Sequence, residues 1–188
     1  MGLVSLMATA QQQTESFDFS GSVSGNNGWT KSTGTAGEIK TTDGSLTYST
    51  ITSVGNKLSI VNGSPYEAIY LPLSQPITTT FYMSFLINVA DLATVQTSTT
   101  GVGGFFMTLS TSSTLESSNR VYIKGGSEPN TYILGFGNNT GPANTGLEDI
   151  YGKSPKNLEL NTTYFVVVKY DMTDTGVKSS LWINPTSS

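Results

Sequence analysis

Apolar residues recur at every second position in one stretch of this chain, and this period of two restricts the fold more than any other feature. The apolar residues of that stretch are Phe81, Met83, Phe85, Ile87 and Val89. Side chains of a β-strand point alternately to opposite faces, so the pattern puts all of them on one face of a strand. Helical periodicity is nearly absent elsewhere. The sequence therefore predicts an all-β fold.

Two later segments predict a pair of neighbouring strands. Residues 164–170 are apolar on both faces, as expected of a central strand. Residues 177–183 alternate, which places Leu181 inward and Trp182 on the opposite face. Between these segments, the Asp-Thr-Gly sequence of residues 174–176 predicts a hairpin turn.

Weaker patterns predict further strands and one helical turn. The strands are predicted at residues 16–20, 45–51, 57–61, 68–73, 104–110, 120–124 and 132–137, and the helical turn at residues 145–151. Turns rich in Gly, Asn and Asp separate the strands. About ten short strands at this spacing are typical of an antiparallel β-sandwich or jelly roll. Residues 14–188 are therefore predicted to form a single β-sandwich domain.

The start of the sequence predicts export. Residues 2–7 are apolar, and Ala8, Thr9 and Ala10 form a small-x-small cleavage site. No Lys or Arg precedes Lys31, so the charged region of a complete signal peptide is missing. Residues 1–13 are therefore interpreted as a signal-peptide remnant, or alternatively as a disordered N-terminus.

Missing residue types exclude several kinds of chemistry. The chain has no His, no Cys and one arginine, Arg120. The usual general base, the commonest zinc ligands and the thiol nucleophile are therefore absent. A formal net charge of −4 argues against nucleic acid and anionic membrane surfaces as partners. No other apolar stretch approaches the length needed to span a bilayer, so no membrane span is predicted.

Several apolar segments follow one another in an order that resembles a known family. The segments are residues 44–48 (GSLTY), 55–60 (GNKLSI), 81–86 (FYMSFL), 164–171 (YFVVVKYD) and 180–185 (SLWINP). This order resembles the concanavalin A-like (LamG-like) jelly-roll domains, in particular modules of surface proteins exported by type IX secretion in gliding and biofilm-forming bacteria. The resemblance implies a concanavalin A-like jelly roll that is secreted from, or displayed on, a Gram-negative bacterium.

The sequence departs from that family near its end. Such domains continue with further strands after the segment that ends in Pro185, whereas this sequence stops at Ser188 and carries no sorting domain. We therefore expect a fragment of a longer protein that lacks the C-terminal strands of the sandwich. An exposed sheet edge beside residues 16–20 or 177–183 would then pair with the missing segment or with another chain.

The acidic residues do not show the spacing of a glycoside hydrolase, but two pairs of them are candidate calcium ligands. Glycoside hydrolases that resemble this family carry E-x-D-x-x-E on one strand, and retaining enzymes hold two carboxylates about 5–5.5 Å apart. That spacing is absent here, so a hydrolase would need carboxylates from distant segments. Oxygen-rich turns suit calcium, and the candidate pairs are Asp171 with Asp174, and Glu148 with Asp149. Alternatively, these carboxylates bond their own backbone.

Aromatic residues that face away from the core are candidates for carbohydrate binding. Alternation of the neighbouring residues sends Tyr70, Tyr82, Tyr122 and Trp182 outward. An outward ring offers a flat apolar face to a sugar and a polar edge for hydrogen bonds. The long loop of residues 137–158 adds the candidates Asn138, Asn139 and Tyr151. The alternative is that these rings pack beneath loops.

Together these features predict a non-catalytic secreted or cell-surface module that binds carbohydrate or mediates adhesion. A structural spacer or protein-binding domain of a large surface protein is the alternative, and a glycoside hydrolase is a third interpretation. The expected partner is a polysaccharide or a surface protein. Outward aromatic residues gathered on one sheet would favour carbohydrate binding, whereas scattered or covered ones would favour the spacer.

Overall fold

The strands follow the alternating segments of the sequence in the computed structural model of this chain. Structure is described for residues 13–61, 67–74, 80–97, 101–109, 120–137, 147–173 and 176–186. Residues 1–12, which hold nearly all of the predicted signal-peptide remnant, lie outside the described residues.

The described strands and the short helix are named here in chain order. The strands are β1 (Gly21–Ser22), β2 (Thr30–Thr33), β3 (Lys40–Thr42), β4 (Thr47–Tyr48), β5 (Ile51–Thr52), β6 (Lys57–Ser59), β7 (Ala68–Tyr70), β8 (Phe81–Asn88), β9 (Gly104–Thr108), β10 (Arg120–Gly125), β11 (Thr131–Gly137), β12 (Leu158–Glu159), β13 (Thr163–Thr173) and β14 (Gly176–Ile183). The helix α1 (Leu147–Tyr151) lies between β11 and β12, where the sequence predicts a helical turn.

Two antiparallel sheets carry most of the fold. The four-stranded sheet has the order β12-β11-β10-β9, and the three-stranded sheet has the order β14-β13-β8. The prediction of a central strand is confirmed, because β13 pairs with β8 on one side and with β14 on the other. The predicted hairpin is also confirmed, since β13 and β14 pair as far as Thr173 and Gly176.

The inner faces of these two sheets share one apolar core. Its buried members are Val121, Tyr132, Leu134, Phe136, Leu158, Tyr164, Val166, Val168 and Tyr170. The alternating residues of β8 pack against this core, which confirms the predicted inward face of that strand. The chain is all-β, and the packing of the two sheets is consistent with an antiparallel β-sandwich.

The first part of the chain forms smaller sheets that the sequence predicted less well. Their orders are β1-β3-β6, β2-β7 and β4-β5. The prediction of a strand at residues 16–20 is wrong. Phe17 has a φ of 48°, and its N–H donates a hydrogen bond to Glu15 Oε1 at 2.8 Å. The backbone therefore leaves the extended conformation there, and β1 begins at Gly21.

The segment at residues 45–51 folds back on itself instead of forming one strand. Tyr48 of β4 pairs with Ile51 of β5, and Ser49 between them has a φ of 51°. A residue with positive φ reverses the chain in a tight turn. The result is a short hairpin, here called the β4–β5 hairpin.

A buried hydroxyl in the core leads to a stability prediction. The Tyr132 side chain is fully buried, and its hydroxyl has no hydrogen-bond partner among the described residues. The neighbouring ring of Tyr164 packs edge-on at 6.3 Å, and its hydroxyl accepts a hydrogen bond from the Glu159 N–H at 2.9 Å. An unpaired buried hydroxyl costs about 1–3 kcal/mol, whereas a paired one is stabilising.

Tyr132→Phe is therefore expected to raise the free energy of unfolding by about 1 kcal/mol, and Tyr164→Phe to lower it by about 1 kcal/mol.

Burial, with a smaller contribution from Tyr164, raises the pKa of Tyr132. Because the tyrosine pKa is about 10 in the unfolded chain, stability present below that pH is lost as the pH rises towards the folded-state pKa. Urea unfolding at neutral and alkaline pH measures both effects. A destabilised Tyr132→Phe variant would contradict the prediction.

Candidate functional site

Two exposed aromatic side chains lie on the outer face of the three-stranded sheet. Val167 of β13 pairs with Ser84 of β8 and with Trp182 of β14, and Lys169 pairs with Tyr82. Paired residues share a face of the sheet, so all of these side chains lie on the side opposite the core. Tyr82 is 60% exposed and Trp182 is 41% exposed.

We call this surface the aromatic platform. It consists of Thr80, Tyr82, Ser84, Val167, Lys169, Asp171 and Trp182. Tyr82 and Trp182 lie on the two strands that flank β13. Tyr82 pairs with Lys169 and Trp182 pairs with Val167, so the two aromatic residues are offset by two residues along β13. Strand spacing and rise per residue place their Cα atoms roughly 12 Å apart. The platform therefore presents two rings that are separated by more than the width of one sugar ring.

A charged pair lies between and beside the two rings. Lys169 Nζ donates a hydrogen bond to Asp171 Oδ2 at 2.8 Å, and Thr80 Oγ1 donates one to Asp171 Oδ1 at 2.8 Å. The Lys169 and Asp171 side chains are 29% and 28% exposed. The hydrogen bond from Lys169 to Asp171 is the largest contribution that raises the pKa of the Lys169 ammonium. Partial desolvation lowers this pKa, and the negative charge of Asp171 and the nearby Tyr82 raise it further. Lys169 and Asp171 therefore form a partly exposed ion pair on the platform.

The β4–β5 hairpin covers one end of the same sheet face. The Tyr48 ring stacks on Phe165 of β13, with ring centroids 6.2 Å apart and an interplanar angle of 26°. Phe165 pairs with Leu86, which is one row beyond the pair of Val167 and Ser84. The hairpin therefore bounds the aromatic platform at the Phe165 row, and the charged pair lies towards the other end.

Two predicted sugar-binding tyrosines are covered instead of exposed. Tyr122 and Tyr151 are 3% and 8% exposed, and both belong to a second apolar cluster between α1 and the four-stranded sheet. Alternation correctly puts Tyr122 on the face away from the main core. The prediction that it meets solvent is wrong, because α1 packs on that face. The Tyr151 hydroxyl donates a hydrogen bond to the Val102 carbonyl at 2.7 Å, which holds the ring in place.

Tyr70 lies away from the platform, and several other sequence candidates lie outside the described residues. Tyr70 is half-buried at the end of β7 and pairs with Thr30 of β2, in a separate sheet. Asn138 and Asn139 lie outside the described residues, as does Asp174. Asp171 is therefore the member of its predicted calcium pair that the structure describes, and its carboxylate accepts hydrogen bonds from Lys169 and Thr80.

The second predicted calcium pair lies on α1. Glu148 is exposed and forms an ion pair with Lys153 at 3.5 Å. Within the described ranges, no group of three or more acidic side chains lies close enough to hold a metal ion. Glu15 and Asp18 do converge, because both accept a hydrogen bond from Asn27 Nδ2, at 3.2 and 3.1 Å. Glu15 also accepts from the Trp29 ring N–H at 3.0 Å, so these carboxylates hold the N-terminal segment in place.

A cavity of about 220 Å³ lies beside α1 on the far side of the molecule's main core. Lys124, Ile133, Leu147, Tyr151, Lys153 and Pro155 line it. Lys124 is 7% exposed, donates a hydrogen bond to the Gly101 carbonyl at 3.2 Å, and lies 5.6 Å from the Tyr151 ring centre. This arrangement anchors the helix to the sheet.

Sequence reasoning missed the two platform residues that contact Asp171, Lys169 and Thr80. Lys169 stands two residues after Val167 and so shares its face. Aligning β13 with β14 through their hairpin would have put Lys169 beside the row of Trp182. Thr80 could not be found in this way, because its contact with Asp171 depends on the pairing of β8 with β13, far apart in the chain.

Comparisons with other proteins do not identify the chain. No protein-family model, curated protein or solved structure matches it. Among the described residues, no helix is long and apolar enough to cross a membrane.

Proposed function

We propose that this chain is a non-catalytic carbohydrate-binding module whose binding surface is the aromatic platform. The observation that carries the proposal is the presence of two exposed rings, Tyr82 and Trp182, on one open sheet face. A sugar ring has an apolar face and a rim of hydroxyl groups. An exposed aromatic ring offers the matching apolar surface, and nearby polar side chains offer donors and acceptors.

The polar side chains of the platform suit hydroxyl groups. Lys169 supplies N–H donors, and Asp171 supplies carboxylate acceptors at its side. Hydrogen bonds to charged groups are stronger than those between neutral groups, by roughly twofold. Asp171 is the one carboxylate among the described platform residues, whereas glycoside hydrolysis requires two. This composition supports binding without cleavage.

Family and location belong to the same proposal. We propose a concanavalin A-like jelly roll of a type IX-secreted surface protein, displayed on or released from a Gram-negative bacterium. The order of the apolar segments supports this, together with the antiparallel sheets. Calcium is also part of the proposal, because Asp171 lies near the end of β13 and Asp174 follows that strand in the sequence.

Substitution of either ring tests the proposal. Tyr82→Ala and Trp182→Ala are each expected to weaken retention on a polysaccharide by about tenfold, because each removes apolar area that a sugar would cover. Affinity gel electrophoresis with polysaccharides, with calcium and with chelator, measures the effect. Phe105→Ala is the matched control, since Phe105 is 37% exposed on the other sheet.

The outcome separates two functions. Equal losses in all three variants would move the site away from the platform, and cleavage products would revive a hydrolase. No retention of the unmodified protein on any polysaccharide would favour a protein-binding domain.

A further inference from the structure

The polar edges of the two platform rings are not used within the described part of the chain. Among the residues that the structure describes, the Tyr82 hydroxyl and the Trp182 ring N–H have no hydrogen-bond partner, and neither ring stacks on another aromatic ring. Tyr151 differs, because its hydroxyl donates a hydrogen bond to the Val102 carbonyl. Each platform ring therefore offers both an apolar face and a polar edge to a ligand.

The strand register places the two rings at opposite corners of a small block of residues. Two neighbouring rows of paired residues cross β8, β13 and β14 there, Tyr82–Lys169–Ser180 and Ser84–Val167–Trp182. The short side chains of serines occupy the other two corners. Asp171 and Lys178 pair in the row beyond that of Tyr82, beside the block. A ligand that contacts both rings must therefore cross β13 diagonally, over a span of roughly 12 Å.

This span sets a minimum length for a ligand that uses both rings. A single sugar covers one ring, whereas a chain of roughly three linked sugars or more reaches both. Once one ring holds such a chain, contact with the second ring becomes intramolecular. The resulting effective concentration raises the overall affinity by about tenfold or more without a new kind of contact. The gain requires both rings, so it is lost when either ring is removed.

We infer that Tyr82 and Trp182 form one extended site for a linear glycan chain, which crosses β13 diagonally and stacks a sugar on each ring. This inference rests on the proposed function and specifies the form of its ligand, a chain of several linked sugars rather than a single terminal sugar. The distance between the rings is the selective feature, and it acts in the same way on neutral and on charged chains.

The affinities of short and long oligosaccharides test this inference. Isothermal titration calorimetry of the whole chain compares two-unit with six-unit oligosaccharides of the laminarin, cellulose, starch and alginate series, so that neutral and anionic chains are both included. In at least one series, we expect the six-unit ligand to bind about fiftyfold more tightly than the two-unit ligand. About fivefold of this ratio comes from the larger number of binding positions along the longer chain, and the rest from the second ring.

The variants Tyr82→Ala and Trp182→Ala isolate the contribution of the second ring. In each of them the affinity ratio should fall to about fivefold, because one ring and the same number of binding positions remain. Tyr82→Phe keeps the ring and should therefore keep the ratio. Phe105→Ala, which changes an exposed ring on the other sheet, should leave every affinity unchanged. Circular dichroism of each variant shows whether a loss reflects misfolding.

Three results would overturn the inference. The same affinity ratio in the unmodified chain and in both alanine variants would refute a site shared by the two rings, although weaker binding by either variant would still support a carbohydrate-binding module. Two-unit ligands that bind as tightly as six-unit ligands would refute a ligand that spans the block. Failure of every series to bind the folded chain would instead refute the proposed function.

Discussion

Replacing Val166 by Asp is expected to unfold the domain. Val166 is fully buried in the middle of β13, which hydrogen-bonds to a strand on each side. Its side chain points between the two sheets, into the core that includes Val121, Leu134 and Val168. A carboxylate at this position would lose its hydration without gaining a partner. The expected loss is more than about 4 kcal/mol, a large part of the roughly 5–15 kcal/mol that stabilises a typical domain.

The next residue along the same strand provides the matched control. Val167→Asp makes the same chemical change on the outer face, where the new carboxylate remains in contact with water. We expect a loss of about 1 kcal/mol there. Circular dichroism and urea unfolding of both variants measure the difference. A folded Val166→Asp variant as stable as Val167→Asp would show that β13 does not separate the two faces as described.

Replacing Gly135 by Val is expected to displace helix α1. A Cβ atom at Gly135 would lie 2.7 Å from the backbone oxygen of Ile150, a distance that real Cβ contacts essentially never show. Ile150 and Tyr151 rest on the outer face of β11 at this point, so the helix has no room to accept a side chain. Overpacking of this kind costs about 3 kcal/mol. The second apolar cluster, including Tyr122, should then become accessible to water.

Trypsin cleavage after Lys153 and hydrogen exchange at the Gly152 amide report on this displacement. The Gly152 N–H donates a hydrogen bond to the Glu148 carbonyl at 2.8 Å, which should protect it from exchange. Gly137→Ala is the graded control, because its Cβ would meet a side-chain atom of Ile150 at 3.1 Å, where a small shift suffices. Unchanged exchange at Gly152 in Gly135→Val would contradict close packing of α1 on β11.

Local sequence patterns predicted the features that depend on strand periodicity. The inward face of β8 and the exposure of Trp182 follow from alternation, because successive side chains of a strand point to opposite faces of the sheet. The central position of β13 follows from its apolar residues on both faces. The same rule puts Tyr122 on the outer face of its sheet, but it does not show whether solvent or a second layer of structure covers that face. Helix α1 covers this face and packs closely on β11 at Gly135, where there is no space for a side chain. The sequence alone does not show that this glycine is the point of contact with a helix.

Side-chain competition with the backbone explains the failure at residues 16–20. Phe17 and Phe19 alternate with polar residues, which is a strand pattern. The Glu15 carboxylate instead accepts hydrogen bonds from the Phe17 N–H and from the Trp29 ring N–H. Residues 16–20 therefore do not form the hydrogen-bond ladder of a strand. At the candidate site, Tyr82 and Trp182 were predicted as separate outward residues. Their presence on one surface depends on the pairing of β8 with β13, which no local pattern encodes.

That pairing also determines when the domain can fold. Phe81 pairs with Tyr170, and β13 is the one described strand that pairs with β8, so this pairing must wait for a strand much later in the chain. Closing such a long loop costs entropy before any core contact forms, and folds built on pairings of this range form over about milliseconds to seconds. Until then, the edge of β8 that pairs with β13 lacks its hydrogen-bond partners on the growing polypeptide. The sandwich is therefore expected to assemble after synthesis of β13 rather than strand by strand during translation.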